Sequence, residues 1–312
     1  MVAHSSPIQI WDRAGQRLIT EQVYGDFWLR LAYGSGFSRL VVDQVLARRW
    51  VSRLAGRLQS TPGSARRVQA FAEQFDIEMG EFEDRKWSSF NDFFIRRFRD
   101  GAREFCAGPE RMPAFSEARY LAFERITPDQ TFPVKGQHLT PEAILGDREL
   151  AADFDGGPLL LARLAPVDYH RFHFPDDGTV VSERRVSGRL HSVHPFALRH
   201  RGDILATNER QVTVLDTANF GQLAMVEVGA MNVGLIVQTH SSGERFRRGD
   251  EKGYFCFGAS SILLFGEPGQ WRPSEDLIEQ TASQRETLVR LGEEVGCGLK
   301  VEGSLHPPGE VR

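Results

Sequence analysis

The sequence predicts an α+β fold in which an N-terminal helical region packs on a large, mostly antiparallel β-rich body. Three observations carry this expectation. Apolar residues recur at helical spacing through much of the first hundred positions. After Met112, short runs of β-forming residues alternate with turn signals. Those runs are not separated by regular helices, which argues against a doubly wound sheet. The expected boundary divides a helical region over 1–105 from a β-rich unit over 106–312.

Taken in order, 37–58 carries Phe37, Leu40, Val41, Ala47, Trp50, Val51, Leu54, Ala55 and Leu58 at roughly helical spacing, with Arg39, Arg49, Arg53 and Arg57 opposite. A basic amphipathic helix in an acidic chain is compatible with docking on anionic lipid, and it suits somewhat better a helix packed on its own domain with a solvated Arg face. Thr61-Pro62-Gly63-Ser64 then breaks the pattern. A second amphipathic piece runs through Val68, Phe71, Phe75 and Ile77, and an aromatic, basic segment over 87–98 ends near Gly101. Strands are expected over 119–125, 131–135, 158–164, 179–186, 211–215, 222–228, 233–239 and 254–265, with one short helix at 141–145. Turns at Pro175-Asp176-Asp177-Gly178 and Gly266-Glu267-Pro268-Gly269 separate some of them. The stretch 286–298 fits a helix or a β-turn segment.

The bulk numbers narrow the function classes. The chain has 312 residues, 41% of them hydrophobic and 26% charged, as in an ordinary globular protein. A net charge of -4 argues against a nucleic-acid partner, which needs a broad basic surface. Cys106, Cys256 and Cys297 are scattered, forming neither a disulfide framework nor a CxxC metal site. Without a signal-peptide pattern or an apolar run near the roughly 18 residues that span a bilayer, the expected location is the cytoplasm, peripherally at a membrane.

Two segments could carry chemistry. In 253–265, Gly258-Ala259-Ser260-Ser261 lies between bulky strand-like flanks, which predicts a buried strand pair joined by a tight bend. The bland reading is a bulge or hairpin in a core sheet. The sharper one is a serine on a strained turn, poised to attack a substrate or its own backbone. In 163–175, His170 and His173 stand three apart among Asp168, Tyr169 and Arg171. A metal pair lacks a third ligand at a convincing spacing, so none is expected. Satisfied structural histidines and general acid–base catalysis both remain open. A serine hydrolase is disfavoured because no Gly-x-Ser-x-Gly elbow is present.

The segment Asp168-Tyr169-His170-Arg171-Phe172-His173-Phe174-Pro175 closely resembles the Asp-Tyr-His-Arg-x-His-x-Pro signature of phosphatidylserine decarboxylases. The resemblance covers most of the chain. Asn91-Asp92-Phe93-Phe94-Ile95-Arg96, Val134-Lys135-Gly136-Gln137, Leu145-Gly146-Asp147, Asn208-Glu209-Arg210, 228–234 and 249–255 follow in the family's order, and Phe257-Gly258-Ala259-Ser260-Ser261 closes the series. Each is weak alone; the ordered set is strong.

This resemblance implies a self-processing enzyme that decarboxylates phosphatidylserine to phosphatidylethanolamine. Ser260 would attack the carbonyl of Ala259, the ester would eliminate, and hydrolysis would leave a pyruvoyl cofactor at position 260. That group is the electron sink which protein side chains lack. The match assigns His173 as the base that activates Ser260, His170 to proton handling in decarboxylation, and Glu117 to the place of the family's orienting aspartate. Arg171 and Lys135 are candidates for anionic substrate groups, with structural ion pairing as the alternative. Expected partners are a phospholipid substrate, an anionic membrane surface and a second copy in a homodimer. Glu117, one methylene longer than aspartate, and Ala259 in place of glycine depart from the family pattern. They keep two further readings open: a decarboxylase of a soluble amino acid, and a non-processing relative that binds lipid or regulates.

Overall fold

The structure, a computed structural model, describes residues 8–21, 42, 47–127, 140–194, 197–198, 202–230, 235–240, 243–258 and 260–299. Its α+β class is the expected one. The spine is a ten-stranded sheet. From one edge, the helix-free stretch β1 (Gln9–Asp12) and β2 (Arg17–Thr20) forms a hairpin, and β1 joins β15 (Glu286–Val289) in parallel. Antiparallel pairing then continues through β4 (Ala118–Phe123), β5 (Leu159–Leu164), β13 (Ser260–Gly266), β9 (Gln222–Gly229), β8 (Arg210–Thr217), β7 (Gly178–Val186) and β11 (Arg245–Phe246). The central strand β13 reads Ser-Ser-Ile-Leu-Leu-Phe-Gly and is buried along its whole length. A continuous apolar run of this kind belongs where both faces of a sheet are covered.

A second sheet, β10 (Ile236–Gln238), β12 (Glu251–Phe255) and β6 (Arg171–His173), is tied to the first through Lys252 on β12 and Glu227 on β9, 2.9 Å apart. A third comprises β14 (Trp271–Pro273), β16 (Glu294–Gly298) and β3 (Arg111–Pro113), and β16 together with β15 of the first sheet makes most of 286–298 strand. The expected hairpin around Gly258-Ala259-Ser260 is not formed. Both flanks are strands, but β12 pairs with β6 and β10 while β13 pairs with β5 and β9, so this turn carries the chain from one layer to another. Alternation along two separate, fully packed registers leaves the flanks no freedom to pair with each other.

The helical region contributes α1 (Arg49–Gln59), α2 (Val68–Gln74) and α3 (Phe90–Phe94). Ser89 caps α3 by accepting from the Asp92 N–H. Val68, Phe71, Phe90, Phe93 and Phe94 form an aromatic cluster that also takes in Phe257 from the turn. The helix at 141–145 is found as α4 (Pro141–Leu145), opened by Thr140 and Pro141 and ended by left-handed Gly146, with α5 (Arg148–Asp153) following. The strand expected at 131–135, most of 37–46 and part of 233–239 lie outside the described residues.

Candidate active site

The turn between β12 and β13 sits where the two sheets and the aromatic cluster meet. Gly258 has φ of 147°, a conformation that essentially only glycine adopts. Phe257 packs edge-on to Phe90 and Phe94, with ring centroids 5.3 and 5.1 Å away, and its N–H donates to Asn91 Oδ1 at 2.9 Å. Ala259 lies outside the described residues. Ser260 opens β13, opposite Leu164 on β5 and Gly229 on β9.

Sheet alternation separates the two serines. Ser260 shares a face with Ile262, whose neighbour Glu227 reaches Lys252 of the smaller sheet. Ser261 stands opposite Arg163, on the other face, where that guanidinium pairs with Glu21 and Glu286. Ser260 is fully buried, and its Oγ has no hydrogen-bond partner among the described residues. Leaving a buried hydroxyl unpaired costs about 1–3 kcal/mol, so its presence asks for a reason beyond packing.

His170 reaches this region from the loop before β6, whereas His173, on β6 itself, packs beside Phe105 and Tyr169, and none of its hydrogen bonds or ring contacts among the described residues is with the turn. His170 is fully buried against Phe94, ring centroids 3.9 Å apart. Its Nδ1 lies 3.0 Å from the Asp168 carbonyl, so Nδ1 carries the proton and the lone pair is at Nε2, which has no partner among the described residues. Burial pulls its pKa down to about 3; the Asp168 and Gly258 backbone oppose this, and Arg96 adds to it. The ring is therefore neutral near pH 7 and within reach of Gly258. His173 is lowered too, first by burial. Its Nδ1 lies 2.9 Å from the Gly249 carbonyl, which leaves Nε2 to accept from the Tyr169 hydroxyl at 3.3 Å. Both imidazoles thus place Nδ1 on a backbone carbonyl; His173 Nε2 has the Tyr169 hydroxyl, whereas His170 Nε2 has no hydrogen-bond partner among the described residues.

Two residues without an assigned role in the sequence reading hold this loop. Arg96 is 1% exposed, lies between the Phe82 and Phe93 rings, and donates through Nη2 to the carbonyls of Val167 (2.8 Å) and Asp168 (3.2 Å). Burial lowers its pKa to about 10. Asp168 accepts from the Ala165 N–H at 2.6 Å and pairs with Arg119, which also binds Glu21. Burial pushes Glu21 up, but Arg163 and Arg119 outweigh it and hold the carboxyl at about 2.

Glu117 accepts from Arg103 at 2.7 and 3.0 Å and from the Leu291 N–H at 3.4 Å, and Arg103 also binds Glu81. It shares no hydrogen bond with the His173 ring, although the neighbouring Phe115 carbonyl accepts from the His173 N–H at 2.8 Å. Arg171 spends Nε on the Ile95 carbonyl and Nη1 on Glu251, and lies over the Tyr254 ring, in the manner of a structural pair. Lys135 lies outside the described residues. Among the described residues no group of three His, Cys, Asp or Glu could hold a metal, and no helix is long and apolar enough to cross a membrane.

Comparison with known proteins gives this arrangement a context. The family model described as phosphatidylserine decarboxylase matches residues 90–297. Relatives named phosphatidylserine decarboxylase proenzyme include one from Fusobacterium nucleatum, 36% identical over 93% of this chain and 97% of its own length. Another, from Ruminiclostridium cellulolyticum, is 37% identical with the same coverage. A third, from Chlamydia muridarum, is 38% identical over 86% of this chain and 89% of its own. By the extent of these matches and the order of its motifs, the chain belongs to the phosphatidylserine decarboxylase family.

Proposed function

We propose that this protein cleaves itself before Ser260 and then decarboxylates phosphatidylserine to phosphatidylethanolamine. The observation that carries the reading is the buried, unpartnered Ser260 hydroxyl at a glycine-dependent crossing beside a neutral histidine. In the first step Ser260 Oγ bonds to the Ala259 carbonyl carbon as the Ala259–Ser260 C–N bond breaks. The Oγ proton passes to the freed nitrogen, leaving an ester. His173 is the base for this step once Tyr169 gives up its contact with Nε2. Glu117 supports His173 in this reading, which requires it to leave Arg103.

The residues around position 260 fit a pyruvoyl group: position 260 is fully buried, and the side chain there has no hydrogen bond to lose among the described residues. Such a group supplies the electrophilic carbonyl that accepts electrons during loss of carbon dioxide. His170 keeps its Nε2 lone pair free for proton handling at the same place. The test is the mass of the purified protein under denaturing conditions. The expected result is two chains divided before Ser260, the smaller lacking a free amine, with carbon dioxide released from phosphatidylserine vesicles. One intact 312-residue species would overturn self-processing and favour the lipid-binding or regulatory reading.

The membrane surface belongs to the same proposal. On α1, Trp50, Leu54 and Leu58 are 61%, 52% and 61% exposed at a spacing of four residues, with exposed Arg57 nearby. This apolar stripe is turned outward, as for a helix lying in a bilayer interface. Leu54→Glu is expected to reduce flotation with anionic vesicles about tenfold or more, with an unchanged melting temperature. Undiminished flotation would remove α1 from lipid docking.

A further inference from the structure

We propose that Asn91 is a positioning residue for self-cleavage, anchoring the backbone just before the processing turn from the helical region. This inference rests on the self-cleavage reading above and names a part of its machinery. The backbone before the turn is moored at three successive N–H groups. Phe255 donates to the His170 carbonyl at 2.9 Å, Cys256 to the Leu235 carbonyl at 3.1 Å, and Phe257 to Asn91 Oδ1 at 2.9 Å. The first two belong to the small sheet; the third is a side chain from a different region, 166 residues away.

Beyond the turn, Ser260 is fixed again by its registers with Leu164 and Gly229. Between these fixed positions stand Gly258, at φ of 147°, and Ala259, which lies outside the described residues. Asn91 therefore sets one of the two fixed points on either side of the bond to be broken. Its own placement is built in. Ser89 caps α3, Ser64 Oγ accepts from the Phe90 N–H at 2.9 Å, and Asp92 is held by Arg85 and Ser88. Phe90 and Phe94, on either side of Asn91 in sequence, grip the Phe257 ring.

The chemistry asked of Asn91 is geometric. Formation of the ester needs Ser260 Oγ in line with the Ala259 carbonyl, and misplacement by about an ångström can cost ~100-fold in rate. After cleavage the same contact keeps the new C-terminal end, residues 257–259, at the site instead of releasing it.

The experiment follows the precursor made by cell-free translation and separates folded protein by resistance to brief proteolysis before mass analysis, with and without hydroxylamine. Hydroxylamine cleaves an ester to a hydroxamate and free Ser260, but leaves an amide intact. Folded Asn91→Leu is expected to convert ~10-fold or more slowly and to give no hydroxylamine-released fragment, because ester formation itself is impaired. Asn91→Asp, which keeps the acceptor oxygen, is expected to convert within about threefold of wild type. Should leucine prevent folding, Asn91→Ser is read in its place. A general loss of stability would reduce the folded fraction without slowing conversion inside it. Wild-type conversion with an equally fast folded Asn91→Leu, or Asn91→Ser where leucine fails, overturns the positioning role alone. A wild type that never converts overturns the self-cleavage reading and this one with it.

Discussion

Ser260→Ala is expected to remain one 312-residue chain, to fold at least as stably as the wild-type precursor, and to lose phosphatidylserine decarboxylation by more than ~1,000-fold. The stability half of this result follows from the environment of the hydroxyl. Ser260 is fully buried and its Oγ has no partner among the described residues, so alanine removes no hydrogen bond and spares a polar group its desolvation. The melting temperature is therefore expected to hold or rise. Chemistry and folding are separated at this position, which few catalytic residues allow. Ser261→Ala is the internal control. Its side chain lies on the face occupied by Arg163, opposite to that of Ser260, and its loss is expected to leave cleavage before residue 260 intact. Intact mass, carbon dioxide release and a thermal melt on the two variants read all three quantities. Cleavage persisting in Ser260→Ala, or lost only in Ser261→Ala, would move the nucleophile elsewhere.

Much of the β-rich body was readable because its strands are strongly patterned. Leu159–Leu164 and Gln222–Gly229 are apolar enough to be strands buried on both faces, and Pro141 and Gly146 mark the ends of a short helix. The β1–β2 hairpin was not readable. Its strands are only four residues long, β2 is largely exposed, and β1, with Ile10 alone buried, is held by β15 at the far end of the chain. The same distinction runs through the site. The histidine pair and the serine turn stand out locally, and alternation alone separates Ser260 from Ser261. Which imidazole nitrogen is free depends instead on the carbonyls of Asp168 and Gly249, whose direction is set by tertiary packing. Glu117 is a similar case: its partner Arg103 also binds Glu81, and the Leu291 N–H that donates to it comes from 174 residues away. Asn91 belongs to a recognisable motif, yet its bond to Phe257 spans the two regions and leaves no local trace.

Lys252→Met is expected to destabilise the precursor by about 3–5 kcal/mol, a large part of the roughly 5–15 kcal/mol that holds a typical domain together. Lys252 and Glu227 are both fully buried between the large and small sheets. The ammonium spends its three protons on Glu227 Oε1, Thr213 Oγ1 and Gln238 Oε1, each at 2.9 Å, and Gln238 Nε2 returns a bond to Glu227 Oε2 at 3.2 Å. The network is closed, so removing the cation leaves a carboxylate with no charge to answer it. Burial already pushes Glu227 above its ordinary value of 4.5, and without the lysine it is pushed further. A carboxyl whose folded pKa is raised binds more protons folded than unfolded. The variant should accordingly be most stable in acid and lose about 1.4 kcal/mol per pH unit above roughly 4.5, until the folded pKa is passed. Lys252→Met combined with Glu227→Gln removes the stranded charge and is expected to recover most of the loss and flatten the pH profile. Urea unfolding at several pH values, in the uncleaved Ser260→Ala background so that one chain unfolds in one transition, measures both effects. A single variant within about 1 kcal/mol of its parent, or a double variant no better than the single, would show that this pair is not what binds the two layers. Because β12 runs from Lys252 straight towards Phe257, restoring Ser260 should also show slower self-cleavage in the single variant and recovery in the double.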